Sequence, residues 1–465
     1  MTMRNLALTL ALALSAGPAL AAPPAPAKPT PVPTPQATAT DTPEVLTGTV
    51  TDDSAWQSLG IYIPAFATNI DTPTAASAGS TTQLGRAIAD VITGDLKNNG
   101  LFKPVGPAAL PAVPIIQITT PDFPSWNARG AEMLVHGSVQ VASNGNLLVG
   151  CYLYDVSLKQ QLVKANWEMT PADWRRAAHK CADTVYSRLS GESPFFDSRI
   201  AYIAETGPKE HRMKRLAIMD SDGANHRFLT TGQAMALTPR FSPDYKKIAY
   251  LSYLNGRPRI YVYDVESATQ RLVAETGNTT FAPRWSPDGK WILYSMATAG
   301  NTNIYRVSAQ GGAVQKLTDT PGINIGGSYS PDGHKIVFES DRGGSQQIYV
   351  MNADGSDQHR ISFFGGRAGT PEWSPRGDQI AFTHIAGNLS VGVMNIDGSA
   401  MRHLTDSWQD EAPTWAPNGR IIQFFRTEKN TGKSSIWQVD LTGRNERRLP
   451  TPVDGSDPSW GPVRE

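Results

Sequence analysis

The chain has 465 residues, with 42 basic and 42 acidic side chains and a formal net charge of zero. That balance, without a clustered basic stripe, excludes a protein built to grip nucleic acid. The length allows two domains, and the 41 glycines and 35 prolines favour short strands and turns over a mainly helical build.

At the start, Arg4, the apolar run Leu6 to Ala16 and the small residues Ala19-Leu20-Ala21 form an export signal over residues 1–21. The run is broken by Gly17 and Pro18 and is too short to span a bilayer. No cysteine stands at the cleavage point, which argues against a lipid anchor. The mature protein is expected to be exported and soluble, with no direct membrane insertion. Residues 22–43 hold eight prolines among alanine and threonine. Such a stretch favours extended, polyproline-like conformations and reads as a tether. Behind it comes the segment Glu44, Val45, Leu46, Thr47, Gly48, Thr49 and Val50, in which Val45, Thr47, Thr49 and Val50 favour a short strand. That strand either opens the first sheet or pairs with a partner's edge.

Residues 44–192 read as a small α/β domain. A strand is expected over 59–66. A helix follows over 82–99, with Leu84, Ile88, Val91, Ile92 and Leu96 on one face. The segments 133–142 and 146–156 form a hairpin around Asn144-Gly145, a pair suited to a type I′ turn. A further strand covers 161–169. Thr170-Pro171-Ala172-Asp173 then opens a second helix with a threonine cap, continued by Trp174, Ala178, Cys181, Val185 and Leu189. His136 and His179 read as packing or surface residues. Cys151 and Cys181 fall in this domain; export permits a disulfide between them, and two buried thiols are equally open. Without matching histidine spacing they do not make a zinc site.

From residue 193 to 465 one phrase recurs. It reads Thr238-Pro-Arg-Phe-Ser-Pro-Asp244, Ala282-Pro-Arg-Trp-Ser-Pro-Asp-Gly289 and Gly327-Ser-Tyr-Ser-Pro-Asp-Gly333. It continues as Thr370-Pro-Glu-Trp-Ser-Pro-Arg-Gly377, Ala412-Pro-Thr-Trp-Ala-Pro-Asn-Gly419 and Asp457-Pro-Ser-Trp-Gly-Pro462. The residue after the aromatic (Ser242, Ser286, Ser330, Ser374, Ala416, Gly461) recurs at steps of 44, 44, 44, 42 and 45. Units of this length bury their apolar faces only by stacking. Each contains four short strand patterns, the composition of a propeller blade. The aromatic is expected to pack between blades, the proline to stop the ladder and Asp-Gly to turn the chain.

Six first strands are marked, but the last has nothing after it. Three strands precede the first marker, near residues 199–204, 215–219 and 226–229. The last marked strand must therefore return to complete that blade, giving a closed six-bladed all-β propeller with no exposed sheet edge. The loops leading into the first strands differ from repeat to repeat. They carry Thr279, Thr280 and Phe281, Ile325 and Gly326, the stretch Gly366 to Gly369, Asp410 and Glu411, and Gly455, Ser456 and Asp457. A rim that varies on a repeated scaffold is where binding is expected.

No Gly-x-Ser-x-Gly or His-Glu-x-x-His pattern occurs, and the eight histidines share no blade position. The recurring Asp-Gly pairs are turn residues. No cofactor and no metal are expected.

The export signal, the domain ending Trp174-Arg-Arg-Ala-Ala-His179…Leu189-Ser-Gly191, the strand Arg199-Ile-Ala-Tyr-Ile203 and the six blades together resemble the TolB family. These are periplasmic propeller proteins of the Tol–Pal system, and the likeness covers nearly all of residues 44–465. The resemblance implies a non-enzymatic, monomeric scaffold. It would bind the lipoprotein Pal at the propeller rim and the inner-membrane protein TolA through the N-terminal segment, here Glu44–Val50. That segment departs from the family by lying behind a proline-rich extension. The rim positions that match are those just before each first strand, where Glu411 keeps an acid and Gly326 does not. Other readings are a hydrolase or lyase acting on periplasmic saccharides or peptides, and a propeller that senses a small ligand.

Overall fold

The computed structural model describes residues 59–208, 211–273 and 278–465. The expected signal, tether and Glu44–Val50 segment lie outside the described residues. The first part runs β1 (Leu59–Tyr62), α1 (Thr81–Asn98), β2 (Phe102–Val105), α2 (Phe123–Ala128), β3 (Met133–Val141), β4 (Leu147–Asp155), β5 (Gln160–Met169) and α3 (Trp174–Ser190). The strands form one mixed sheet ordered β2-β1-β3-β4-β5, with β1 parallel to both neighbours and the rest antiparallel.

Helices α1 and α3 cover one face. Leu84, Ile88, Ile92 and Leu96 of α1 are buried with Val135 and Val149 of the sheet and Val185 of α3. Each such side chain contributes about 1.5–3 kcal/mol on burial. A disulfide joins Cys151 on β4 to Cys181 on α3, with Cα atoms 5.9 Å apart. The other face is covered by an irregular stretch, where Ile118 and Trp126 pack on Leu134 and Tyr154. That stretch has no apolar periodicity to announce it.

Three local expectations change. Among the residues of the 142–146 loop only Gly145 has a positive φ, and its N–H donates to Ala142 O at 2.9 Å. The hairpin therefore closes with a type I turn and a glycine bulge, not a type I′ turn, which needs two left-handed residues. The second helix begins with a 3₁₀ turn over Pro171–Asp173, and the Thr170 hydroxyl donates to Asp173 Oδ2 at 2.7 Å instead of capping the backbone. Regular strand in β1 stops at Tyr62, after which Ala67 makes a single bridge to Ser138.

Among the described residues the second part comprises six four-stranded sheets. Blade 2 begins at Ala236–Phe241, blade 3 at Thr279–Trp285, blade 4 at Asn324–Tyr329, blade 5 at Arg367–Trp373 and blade 6 at Asp410–Trp415. Blade 1 is composite: Asp454–Trp460 pairs antiparallel with Arg199–Thr206, with Gly455 opposite Ala204 and Trp460 opposite Ile200. These innermost strands contact one another in succession and close a ring about an axis. Closure seals the inner edges, but each blade keeps an outer edge. That edge is only two or three residues long, as at His359–Arg360 and Val314–Lys316, too short to template pairing.

The repeated phrase is scaffold. Ser286 Oγ donates to Asp288 Oδ1 at 2.5 Å and accepts from Trp291 N at 2.9 Å, while Gly289 N closes the turn on Ser286 O at 2.9 Å. The aromatic bridges blades: Trp285 Nε1 donates to Arg240 O of blade 2 at 3.1 Å, and Trp415 Nε1 to Glu372 O of blade 5 at 3.0 Å.

The α/β domain rests on the face carrying these turns, over blades 1, 5 and 6. Asn418 Nδ2 donates to the Tyr186 hydroxyl at 3.1 Å, and Glu192 pairs with both Arg376 and Arg420. Asp183 of α3 accepts the amides of Phe195, Phe196 and Asp197 at 2.7, 2.7 and 2.9 Å, holding the connection between the two parts.

Candidate functional site

Antiparallel order puts the loops that lead into the innermost strands on the face opposite the turns. Each innermost strand carries one residue with a positive φ: Thr238, Ala282, Gly326, Thr370, Ala412 and Asp457, all between 45° and 71°. In each strand the ladder register shifts there, the mark of a bulge. The bulged amide is caught by the preceding blade in three cases. Gly326 N donates to Ser295 Oγ at 3.3 Å, Thr370 N to Glu339 Oε2 at 2.6 Å and Ala412 N to Thr383 Oγ1 at 3.2 Å. For Thr370 and Ala412 such a bond offsets the strain of a left-handed L-residue, of order 1 kcal/mol, which Gly326 does not carry.

The rim residues singled out in the sequence all fall at or just before the bulges of these strands, around one axis. Thr279 is exposed, and Phe281 is half-buried against the core shared by blades 2 and 3. Thr280 is buried, its hydroxyl donating to Pro258 O at 3.4 Å, so it fixes the loop and offers nothing to a partner. Ile325, Gly326, Glu411 and Asp457 are half-buried. Gly366–Gly369 leads into blade 5, where Glu339 Oε2 lies so near Gly369 that a Cβ would meet it at 2.7 Å.

The axial end of this face is acidic. Burial, with the neighbouring Asp457 and Asp410 charges, holds the Glu411 carboxyl above the usual carboxylate range, while a hydrogen bond from Gln409 opposes this. Burial also raises Asp457, against the pull of Lys214 and Arg240. Burial pushes Glu339 up to about 7. Glu205 is the exception: despite burial it is held low by Lys214 and Arg212, both 2.8 Å away. A partner meeting this surface finds partly desolvated carboxyl groups that a cation or a hydrogen-bond donor would stabilise.

Two aromatic residues on the same face were not predicted. Phe363 precedes the blade 5 inner strand and is 75% exposed; Trp408 precedes that of blade 6 and is 39% exposed. Exposed aromatics on a rim of partly buried polar groups are the composition of interface anchors. Only the positional signal, an aromatic a few residues before the phrase, could have found them. Also on this face, His384 Nε2 lies 2.7 Å from Gly365 O, and its Nδ1 lies 2.8 Å from His403 Nε2, so the pair props the loop into blade 5.

His179, Asp220 and Asp222 are the potential metal-ligating group among the described residues. They lie at the contact of α3 with blade 1, away from the axis. Their partners are already present: His179 Nδ1 is 2.7 Å from Asp95 Oδ2, and Arg175 pairs with Asp222. His179 is wholly buried and packs the two parts together, as His136 packs under α2.

Residues 65–162 match the model of the TolB amino-terminal domain, and residues 186–464 that of the TolB beta propeller domain. The Tol-Pal system protein TolB 1 of Novosphingobium aromaticivorans is 79% identical over 418 residues, covering 90% of this chain and 93% of that protein. The Tol-Pal system protein TolB of Zymomonas mobilis is 66% identical, covering 88% of each. The crystal structure of TolB from Acinetobacter baumannii superposes with a TM-score of 0.75 at 28% identity, over 87% of this chain and 97% of that one. No helix among the described residues is long and apolar enough to cross a membrane. An α/β domain seated on the turn face of a ring closed by its own last strand, with these relatives, makes the chain a member of the TolB family, non-enzymatic envelope proteins of the Tol–Pal system.

Proposed function

We propose that the leading face of the propeller binds Pal and that the Glu44–Val50 segment engages TolA. The protein is then a periplasmic adaptor, acting as a monomer, that supports outer-membrane integrity and envelope constriction during cell division. The observation that carries this reading is the contrast between the two faces. The turn face repeats one scaffold and carries the α/β domain. The leading face differs at every blade and presents Phe363, Trp408 and the half-buried carboxyl groups of Glu411 and Asp457. The family membership supports a role in Tol–Pal.

The test is calorimetric titration with the purified periplasmic domain of Pal. Trp408→Ala and Glu411→Gln should each weaken binding, with roughly 30-fold for an anchor residue. Unchanged affinity in both variants refutes the rim assignment. The N-terminal segment is proposed to couple to the rim by linkage, so sequestering it with TolA shifts Pal affinity by the same free energy. Deleting residues 22–50 should abolish TolA capture and change Pal affinity, leaving the propeller's melting unaltered. A deletion variant that still captures TolA refutes the segment's role.

A further inference from the structure

The residue before the aromatic of the repeated phrase lies at the axis in every blade: Arg240, Arg284, Ser328, Glu372, Thr414 and, in blade 1, Ser459. Three of these side chains accept the amide of the next blade's aromatic. Ser459 Oγ accepts from Phe241 N at 3.2 Å, Ser328 Oγ from Trp373 N at 3.3 Å and Glu372 Oε1 from Trp415 N at 3.1 Å. A guanidinium has no acceptor and cannot do this. The two arginines therefore do not play this part in the scaffold.

Their own bonds leave them short of partners. Arg240 Nη1 donates to the carbonyls of Pro239 at 2.6 Å and Pro458 at 3.3 Å, and Arg284 Nη1 to that of Pro283 at 3.1 Å. The Nε atom of each is buried without a hydrogen-bond partner, and Arg240 as a whole is only 7% exposed. The nearest anion is Glu372, whose Oε2 stands 3.9 Å from Arg240 and 3.8 Å from Arg284, beyond hydrogen-bond reach, and is itself unpartnered. Glu372 commits its other oxygen to Thr414 and Trp415. Asp457 is the other acid that acts on both arginines, and burial raises its pKa against the pull of Lys214 and Arg240. Burial and the adjacent Arg240 charge push Arg284 down to about 9. Two buried cations thus stand beside one close carboxylate, that of Glu372, an arrangement that a further anion would relieve.

These groups line a cavity of about 400 Å³ on the turn face of the axis, walled by Trp285, Tyr329, Trp373 and Trp415 and by the prolines of the phrase. Convergent polar groups in an aromatic-walled cavity are the usual build of a small-molecule site. We infer that this axial cavity binds a small organic monoanion, with its carboxylate between the guanidinium groups of Arg240 and Arg284 and its apolar body against the aromatic wall. The site is on the face away from the proposed Pal surface and does not depend on that reading.

Benzoate and acetate, titrated by calorimetry into the full-length protein, are the test. Benzoate should saturate one site per chain and bind more tightly than acetate. Arg240→Met and Arg284→Met should each weaken it by roughly tenfold or more, the worth of a charge-assisted hydrogen bond. Arg284→Lys, which keeps the charge, should lose less. Glu372→Gln should strengthen binding, because it removes the competing carboxylate and keeps the acceptor for Trp415. Circular dichroism of each variant establishes that it is folded. Benzoate heats that do not saturate overturn the proposal, as does undiminished binding in both methionine variants or weaker binding in Glu372→Gln.

Discussion

Replacing Trp460 by alanine removes the aromatic of the composite blade. Trp460 is 8% exposed, its Nε1–H donates to Ser198 Oγ at 2.8 Å, and its ring lies 6.1 Å from that of Phe195. Its indole therefore joins the closing strand both to blade 1 and to the connection with the α/β domain. A buried tryptophan removes roughly 200 Å² from water, about 5 kcal/mol at 25 cal/mol per Å². Alanine recovers a small part of this. The lost hydrogen bond adds less than 1 kcal/mol, since Ser198 Oγ keeps its bond to Phe195 O at 2.6 Å. Trp460→Ala should therefore lower unfolding free energy by about 4 kcal/mol, within the range for such truncations. Trp460→Phe, which keeps most of the packing, should lose about 1–2 kcal/mol. Urea unfolding followed by far-ultraviolet circular dichroism measures both, with the exposed Trp408→Ala as a control expected within about 0.5 kcal/mol of the parent. A Trp460→Ala loss no larger than the control's would refute the account of how the ring is held shut.

Three further outcomes are expected. The Cys151–Cys181 bridge spans 30 residues, so the paired Cys→Ala variant should lose about 3.5 kcal/mol by the loop-entropy relation, read from denaturation with and without reductant. Burial pushes Glu339 from 4.5 to about 7, so between those pH values the folded protein binds more protons than the unfolded. Its contribution to stability then falls as pH rises through that window, by about 3 kcal/mol in all, and Glu339→Gln should flatten that part of the stability–pH curve. Gly398 has φ +83°, and a Cβ there would meet Ile361 O at 1.8 Å, whereas Gly387 at φ +87° has open space around it. Gly387→Ala should cost about 1 kcal/mol in thermal melts, and Gly398→Ala should cost at least 2 kcal/mol more because backbone must move.

The ring, its blade count and the split blade are legible in the sequence because the phrase is a set of local turn and packing rules repeated at fixed spacing. The bulges are not. A residue before proline is biased toward extended conformations, so nothing in Thr370-Pro371 or Ala412-Pro413 announces a left-handed residue. The inter-blade bonds to Glu339 and Thr383 overrule the local preference, and they exist only once the blades are assembled. The letter before the aromatic, Arg-Arg-Ser-Glu-Thr-Ser, is plain to read, but its convergence on one axis is a property of closure. Likewise Thr280 and Phe281 look alike as loop residues. Only the fold buries the first and leaves part of the second exposed.

The composite blade also sets the order in which the protein can be made. Glu205 and Ser456, which meet across the seam, are 251 residues apart in sequence. In a flexible chain, joining ends so distant would cost about 5 kcal/mol of entropy, and the blades that fold and stack between them lower that cost by bringing the ends near. During synthesis five complete blades can form while Arg199–Thr206 still waits with an unpaired edge. This one pairing is far more non-local than the hairpins within each blade, which predicts a slow final step and a late intermediate vulnerable to strand addition from other chains.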